Sequence, residues 1–75
     1  QKRGMSGESV RQIQTYLTKI SEAEPSITPP SITGYFGLQT ENAVRQFQRA
    51  NNLPENGVVG AITWARMSAI YDSMI

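Results

Sequence analysis

The stretch GYFGLQTENAV, residues Gly34–Val44, carries a pattern that the chain repeats in GVVGAITWARM, residues Gly57–Met67. Each copy predicts a turn followed by a helix. Both copies follow G-x-x-G-x-x-T-x-x-x-V/M, and each position of the second copy lies 23 residues after its counterpart in the first. Glycine adopts positive φ at little cost, so the first glycine of each copy predicts a tight turn. The second glycine predicts the start of a helix at which backbones approach closely.

The residues inside each copy predict how these units bury apolar surface. Phe36 and Val59 stand just before the second glycine and are expected to point into the core. Thr40 and Thr63 fall in the first helical turn, where a hydroxyl can satisfy a free backbone donor. Two such turn-and-helix units can pack around one core that neither could bury alone, in a pseudo-twofold relation.

Apolar periodicity predicts three helices in total. The first starts after Met5 with Ser6 as its N-cap and runs to Ile20. The second follows Gly37 and stops near residues 51–52, since Pro54 disfavours helical geometry at the residue before it. The third occupies residues 61–75, and its apolar stripe consists of Trp64, Met67, Ile70, Tyr71 and Met74.

The segment between the first two helices, residues 21–33, contains three of the four prolines of the chain. Proline lacks a backbone donor and fixes φ, so neither a helix nor a central strand can run through this segment. We predict an ordered loop in which Ile27 and Ile32 are held against the core. The expected fold is therefore all-α: a small three-helix bundle with two glycine-turn/helix pseudo-repeats and a proline-rich loop between helices 1 and 2.

Length and composition limit the possible functions. Seventy-five residues make one small domain, residues 1–75, and the first residue, a glutamine, suggests a module of a longer protein. The chain has neither cysteine nor histidine, so it offers no disulfide, no thiolate nucleophile and no zinc site beyond carboxylates. We expect no metal and no cofactor. Six scattered carboxylates do not make an acid and base pair, so we expect no enzymatic activity.

The charge balance and the apolar runs argue against two classes of partner. The formal net charge is +1, which predicts neither nucleic acid nor an anionic membrane surface. A DNA-binding helix-turn-helix is also disfavoured, because only Arg45 and Arg49 lie on the second helix and no basic stripe surrounds them. No apolar run is long enough to span a bilayer, and no secretion signal is present within this chain.

Three groups of residues, which follow one another along the chain, resemble the sequence pattern of the peptidoglycan-binding domain family. This family is a three-helix module of bacterial cell-wall hydrolases. We call the three groups blocks. The matching residues of the first block are Gly4, Gly7, Val10, Ile13, Gln14 and Leu17. Those of the second are Gly34, Phe36, Gly37, Thr40, Ala43, Val44, Phe47, Gln48 and Leu53. The third block supplies Gly57, Val59, Gly60, Thr63 and Trp64. The proline-rich loop resembles the variant found in spore-former wall proteins.

Besides Ile13, which replaces a leucine of the family pattern, two positions in the turns depart from it: the family has an aspartate before each turn glycine. This chain has Thr33 in the first turn and Asn56 in the second. Asparagine can still cap a turn through its side-chain carbonyl, whereas threonine does so more weakly. Any role that the aspartates have in binding is therefore in doubt here.

The resemblance implies a non-catalytic module that binds peptidoglycan, through the glycan strand or the stem peptide, and tethers a larger wall-acting protein. It implies a monomer located in the cell wall or elsewhere outside the cytoplasm, including the spore. The alternative is a protein-docking or structural domain of the same fold that does not bind glycan.

A peptidoglycan groove needs an exposed aromatic ring, amide side chains and an arginine for a carboxylate. The residues of these types near the glycine turns and the end of helix 2 are Tyr35, Gln39, Arg49, Asn52, Asn56 and Trp64. Each also has a structural interpretation: Tyr35 can cover a turn, Trp64 can lie at the edge of the core, and Arg49 can belong to a solvated face.

Overall fold

A computed structural model describes residues 1–74 and contains three helices: α1 (Glu8–Ser21), α2 (Leu38–Ala50) and α3 (Ala61–Ser73). Helix α1 packs against both α2 and α3. Residues 1–74 contain no strand, and an isolated β-bridge joins Ser6 to Tyr35. The all-α, three-helix prediction is confirmed. Helix α3 ends at Ser73 with Met74 as its C-cap, so the predicted end at residue 75 was too late; Ile75 itself lies outside the described residues.

The start of α1 differs from the sequence prediction, whereas α2 and α3 begin where they were predicted to begin. Helix α1 begins at Glu8 with Gly7 as its N-cap, so the prediction of Ser6 was wrong. Ser6 instead lies in an extended segment that pairs with Tyr35. None of the three helices has a side-chain N-cap hydrogen bond, so the expected capping by Thr40 and Thr63 was also wrong.

The core consists of the apolar stripes of the three helices together with Phe36 and Val59 from the two turns. Phe36 is fully buried and Val59 is 6% exposed, which confirms the predicted inward direction of both. The remaining buried apolar residues are Val10, Ile13, Leu17, Ile20, Ile27, Ala43, Val44, Phe47 and Met67. Trp64, Ile70 and Met74 of the predicted α3 stripe pack against this cluster from its edge.

The proline-rich loop is ordered by contacts with α1 and α2. Ile27 is buried as predicted, but Ile32 is 44% exposed, so that prediction was wrong. Pro30 is the buried residue in this part of the loop, and its carbonyl lies 3.4 Å from the hydroxyl of Thr18 on α1. The amide oxygen of Gln46 accepts a 2.6 Å hydrogen bond from the backbone of the loop at Thr28.

The two glycines of each repeat have different backbone conformations. Gly34 and Gly57 have φ of 83° and 74°, so the predicted tight turns are confirmed. Gly37 and Gly60 are extended, with φ of −98° and −91°, a conformation open to any residue. A Cβ on Gly37 would lie 3.1 Å from the ring of Tyr35, whereas one on Gly60 would meet nothing within 4 Å. The predicted close approach was therefore wrong at Gly60.

A buried glutamine holds the turn at the start of α2. Gln14 of α1 has no exposed surface. Its Oε1 accepts hydrogen bonds from the backbone N–H groups of Thr33 (2.9 Å) and Gly34 (2.8 Å). Its Nε2 donates to the carbonyl of Tyr35 (2.9 Å) and to the hydroxyl of Thr40 (3.0 Å). One side chain on α1 therefore satisfies four polar groups of the following turn and helix.

Gln48 of α2 makes the same set of contacts with the turn at the start of α3. Its Oε1 accepts from the N–H groups of Asn56 (3.1 Å) and Gly57 (3.0 Å). Its Nε2 donates to the carbonyl of Val58 (3.0 Å) and to the hydroxyl of Thr63 (3.2 Å). We call Gln14 and Gln48 the glutamine clamps. The structural repeat is thus a helix that carries a clamp together with the turn that the clamp holds.

The segment before α1 pairs with both turns. The backbone of Gln1 exchanges two hydrogen bonds with Val59, of 2.7 and 2.9 Å. Gly4 donates to the carbonyl of Phe36, and Phe36 donates to the carbonyl of Met5, each at 2.8 Å. This short segment therefore links the two turns and brings the start of α3 close to the start of α1.

Candidate functional site

The six residues predicted to contact a ligand lie in different surroundings. Tyr35 is 54% exposed on the first turn, and its ring covers Gly37. Gln39 is exposed on α2, where its Oε1 accepts a 3.3 Å hydrogen bond from the backbone of Ser31. Tyr35 therefore covers its turn and still offers a ring to solvent, while Gln39 contributes to holding the loop.

Arg49 has a partner already within the domain. Its Nε and Nη2 donate to the two carboxylate oxygens of Glu55, at 3.1 and 2.9 Å. The hydrogen bonds and then the charge of Glu55 raise the pKa of the Arg49 guanidinium above its ordinary value. The guanidinium of Arg49, which was predicted to bind a ligand carboxylate, binds the carboxylate of Glu55 instead. Since the Arg49 side chain is 77% exposed, this ion pair adds little to stability.

The two predicted asparagines have roles in the backbone of the turns. Asn52 is exposed just beyond α2, and its φ of 58° is the left-handed conformation that often ends a helix. Oδ1 of Asn56 accepts hydrogen bonds from the N–H of Val58 (2.9 Å) and from Nε2 of Gln48 (3.0 Å). At the other turn the hydroxyl of Thr33 accepts from the N–H of Tyr35 at the longer distance of 3.2 Å. The predicted capping by residues 33 and 56 is confirmed, with the shorter bond at the asparagine.

Replacing Asn56 with aspartate is expected to raise the free energy of unfolding by about 0.5–1 kcal/mol, because a carboxylate would accept the same two hydrogen bonds with a full charge. The measurement is a denaturant midpoint at neutral pH. Asn42→Asp is the matched control, since Asn42 is exposed on α2 and has no side-chain hydrogen bond within the described chain. Equal midpoint shifts in the two variants would contradict this role of the residue 56 side chain.

Trp64 belongs to a stack of three aromatic rings between α1 and α3. Its ring is parallel to that of Tyr16 within 11°, with centroids 5.1 Å apart. The ring of Tyr16 also stacks on Tyr71, with centroids 3.9 Å apart. Because Trp64 and Tyr71 are two turns apart on α3, about 10 Å along the helix, Tyr16 lies between them. The stack fixes the orientation of the half-buried Trp64 ring.

Next to Trp64 lies a depression of about 460 Å³, which we call the α1–α3 groove. Ser9 and Gln12 of α1 form one side, and Gly60, Ala61 and Trp64 form the other. The pairing of residue 1 with the second turn brings these two helix starts together. The groove thus combines an indole ring, a hydroxyl, an amide and small residues.

The α1–α3 groove continues along α1. A second depression of about 400 Å³ shares Ser9 and Gln12 with it and extends to Tyr16. The hydroxyl of Tyr16 accepts a 3.3 Å hydrogen bond from Nε2 of Gln12. Together the two depressions form a channel that follows the exposed face of α1.

The other predicted residues do not line this channel. Asn56 lines a smaller, more apolar depression of about 310 Å³ with Val58 and Ile62. Gln39 lines a third one of about 200 Å³ beside the proline-rich loop. The structure therefore places Trp64, Asn56 and Gln39 in three separate depressions, and ligand contact by the six residues stays a prediction.

Sequence reasoning missed Ser9, Gln12 and Tyr16. They lie at spacings of three and four residues, so they form a second stripe on α1 beside the apolar one. That spacing was visible in the sequence. The sequence did not show that the start of α3 lies opposite this stripe. That position is a tertiary contact, and the backbone pairing of residue 1 with Val59 is part of it.

The side chains of the α1–α3 groove carry no net charge. No charged side chain lines its main part, and in the extension along α1 the charges of Glu8 and Arg11 pair with each other at 3.5 Å. In residues 1–74 no cluster of three potential metal ligands occurs. Over the same residues no helix is both long and apolar enough to cross a membrane.

Comparison with known proteins adds independent information. A family model described as "Putative peptidoglycan binding domain" matches residues 6–67. A "Probable N-acetylmuramoyl-L-alanine amidase" of Bacillus licheniformis is 36% identical over 67 residues, which are 88% of this chain and 19% of that protein. The "Zinc D-Ala-D-Ala carboxypeptidase" of Streptomyces albus G is 33% identical over 69 residues, 92% of this chain and 26% of that enzyme. The chain spans about half, or less, of the length of the curated relatives it matches.

A solved structure has the same fold. The crystal structure of the SleB N-terminal domain superposes with a TM-score of 0.79 at 32% sequence identity, covering 95% of this chain and 90% of that one. The family match includes all three helix starts and both glycine turns. The chain therefore belongs to the peptidoglycan-binding domain family.

Proposed function

We propose that residues 1–75 form one non-catalytic module that binds peptidoglycan and tethers a larger wall-acting protein to it. The observation that carries the proposal is the family match over residues 6–67. Two relatives are named as an amidase and a carboxypeptidase, and this chain corresponds to 19% of the first and 26% of the second. A small binding unit attached to a catalytic unit is the arrangement that these fractions suggest.

Tethering requires only modest affinity. A module that holds an enzyme to a polymer raises the effective concentration of the enzyme at its substrate, so repeated weak contacts are sufficient. A shallow, open groove suits this task, because it allows a polymer to bind along its length and to dissociate. The proposed location is the cell wall or another site outside the cytoplasm, and the proposed state is a monomer.

The carboxylates of the domain support the proposal that it has no catalytic activity. Four of the six acidic residues form ion pairs with basic residues. A fifth, Glu24, accepts a 2.9 Å hydrogen bond from the hydroxyl of Ser26. No acid and base pair converges on the α1–α3 groove, whose main part is lined by neutral residues.

We expect the purified domain to sediment with insoluble peptidoglycan and to release neither reducing ends nor free amines from it. The measurement is a pull-down with purified wall followed by assays of the supernatant. Cellulose serves as the control polymer, because it has no N-acetyl group and no peptide. Equal sedimentation with both polymers would refute specific binding, and release of new chain ends would refute the absence of catalysis.

The six predicted contacts are a separate part of this proposal. Tyr35 and Trp64 offer rings to a ligand, and the amides of Gln39, Asn52 and Asn56 offer hydrogen bonds. Binding of a ligand carboxylate by Arg49 would require it to leave Glu55, which lowers the net gain from that contact.

A further inference from the structure

We infer that the α1–α3 groove binds the N-acetylated sugars of the glycan strand, and not the stem peptide. This inference rests on the proposed function and specifies which part of the polymer the groove takes. Three observations carry it: the charge of the groove, its polar groups without partners, and its continuation along α1.

The charge of the groove argues against the stem peptide. A peptide that carries free carboxylates would be recognised by an arginine or a lysine, and no such side chain lines the main part of the groove. The nearest arginine, Arg11 in the extension, lies 3.5 Å from the carboxylate of Glu8. A neutral ligand therefore fits the groove better than an anionic one.

The polar groups of the groove match an acetamido group, which has one N–H donor and one carbonyl acceptor beside a methyl group. The hydroxyl of Ser9 and the indole N–H of Trp64 have no hydrogen-bond partner within the described chain. The amide oxygen of the exposed Gln12 can accept a hydrogen bond from the acetamido N–H, and Ser9 and Trp64 can donate to its carbonyl. Ala61 and Val59 provide an apolar surface for the methyl group.

The shape of the groove suits a polymer. Its two depressions share Ser9 and Gln12 and follow α1 as far as Tyr16, a rise of about 10 Å. Stacking holds Tyr16 between Trp64 and Tyr71, so the aromatic wall is ordered before any ligand binds. A preformed wall lowers the entropic cost of binding. A short saccharide can therefore lie along α1 from Ser9 to Tyr16.

The test is an NMR titration of the labelled domain with three probes: peptide-free glycan strands, isolated stem peptides and N-acetylglucosamine tetramers. We expect the glycan strands to shift the amides of Ser9, Gln12 and Ala61 and the indole resonance of Trp64. The stem peptides should leave these resonances unmoved. The tetramers carry no charge, whereas peptide-free strands have a lactyl carboxylate on each muramic acid. We therefore expect the tetramers to shift the same resonances, and tetramers that leave them unmoved would overturn the assignment of the groove to the acetamido group.

Two arginine variants of exposed alanines on α3 give a matched comparison. Ala61→Arg fills the groove and should weaken binding of glycan strands at least about tenfold, whereas Ala69→Arg, two turns along the helix, should leave it unchanged. Removing one polar contact in Ser9→Ala or Gln12→Ala should weaken binding by about threefold to tenfold. Thermal unfolding checks that all four variants are folded.

The outcomes separate the two proposals. If the parent domain does not sediment with intact wall, the proposed function is wrong. If the parent sediments and Ala61→Arg does so equally well, the function stands and the assignment of the groove is wrong. Shifts of the groove resonances by stem peptides alone would also overturn the assignment.

Discussion

Replacing Gln48 with leucine is expected to lower the free energy of unfolding by about 3–4 kcal/mol, since each buried polar group left without a partner costs about 1–3 kcal/mol. Leucine has nearly the volume of glutamine but satisfies none of the groups that the clamp binds. The N–H of Gly57 and the hydroxyl of Thr63 are among the partners that would lose their bonds to Gln48. A domain of 75 residues has a total stability of only about 4–11 kcal/mol, so the variant approaches the limit of folding.

The repeat predicts the same loss for Gln14→Leu, because Gln14 makes the corresponding contacts with the first turn. Gln12→Leu is the matched control: Gln12 is exposed on the same helix and should cost less than about 0.5 kcal/mol. The measurement is urea unfolding followed by circular dichroism. If both clamp variants unfold at the midpoint of the control, the clamps do not stabilise the turns.

Replacing Gly57 with valine is expected to cost about 2–3 kcal/mol, mainly because a β-branched residue is strained at positive φ. The φ of Gly57 is 74°, and an added Cβ would lie 2.9 Å from Cγ of Glu41 and 3.2 Å from Nε of Arg45. Both contacts are with flexible side chains that can move, so the backbone strain remains as the larger part of the cost.

Gly60→Val is the control within the same repeat. Gly60 is extended, and its Cβ would meet nothing within 4 Å, so the cost should stay below about 1 kcal/mol, chiefly from a poorer N-cap residue. Unfolding midpoints of the two variants, measured side by side, decide the point. Equal losses would mean that φ at Gly57 is not the limiting factor.

Much of the local structure could be predicted from the sequence because its causes act over a few residues. Apolar residues at spacings of three and four placed each helix to within a few residues of its observed start. The first glycine of each repeat predicted the positive φ of Gly34 and Gly57. The failure at the start of α1 had a distant cause: Ser6 was a suitable N-cap by residue type, but its segment pairs with Tyr35 of the first turn, and the helix begins at Glu8.

The candidate site could be predicted only in part. Residue type correctly suggested that Trp64 lies at the edge of the core, and the structure places it in the α1–α3 groove. Residue type also suggested Arg49 as a ligand for carboxylates, but could not reveal that Glu55 occupies its guanidinium. Whether a polar side chain is free to bind depends on its neighbours in space, which a pattern of residue types does not contain.

The order of residues along the chain was sufficient to predict the three helices, the two tight turns, the inward direction of Phe36 and Val59, and the family. Each of these follows from backbone preferences or apolar periodicity within a short window, or from the order of the blocks. The tertiary structure alone decided what the glutamines and the polar stripe of α1 do. Gln14 reaches Thr40 across 26 residues, and residue 1 pairs with Val59 across 58. Such contacts exist only once the helices pack, so the glutamine clamps and the α1–α3 groove could be found only in the folded chain.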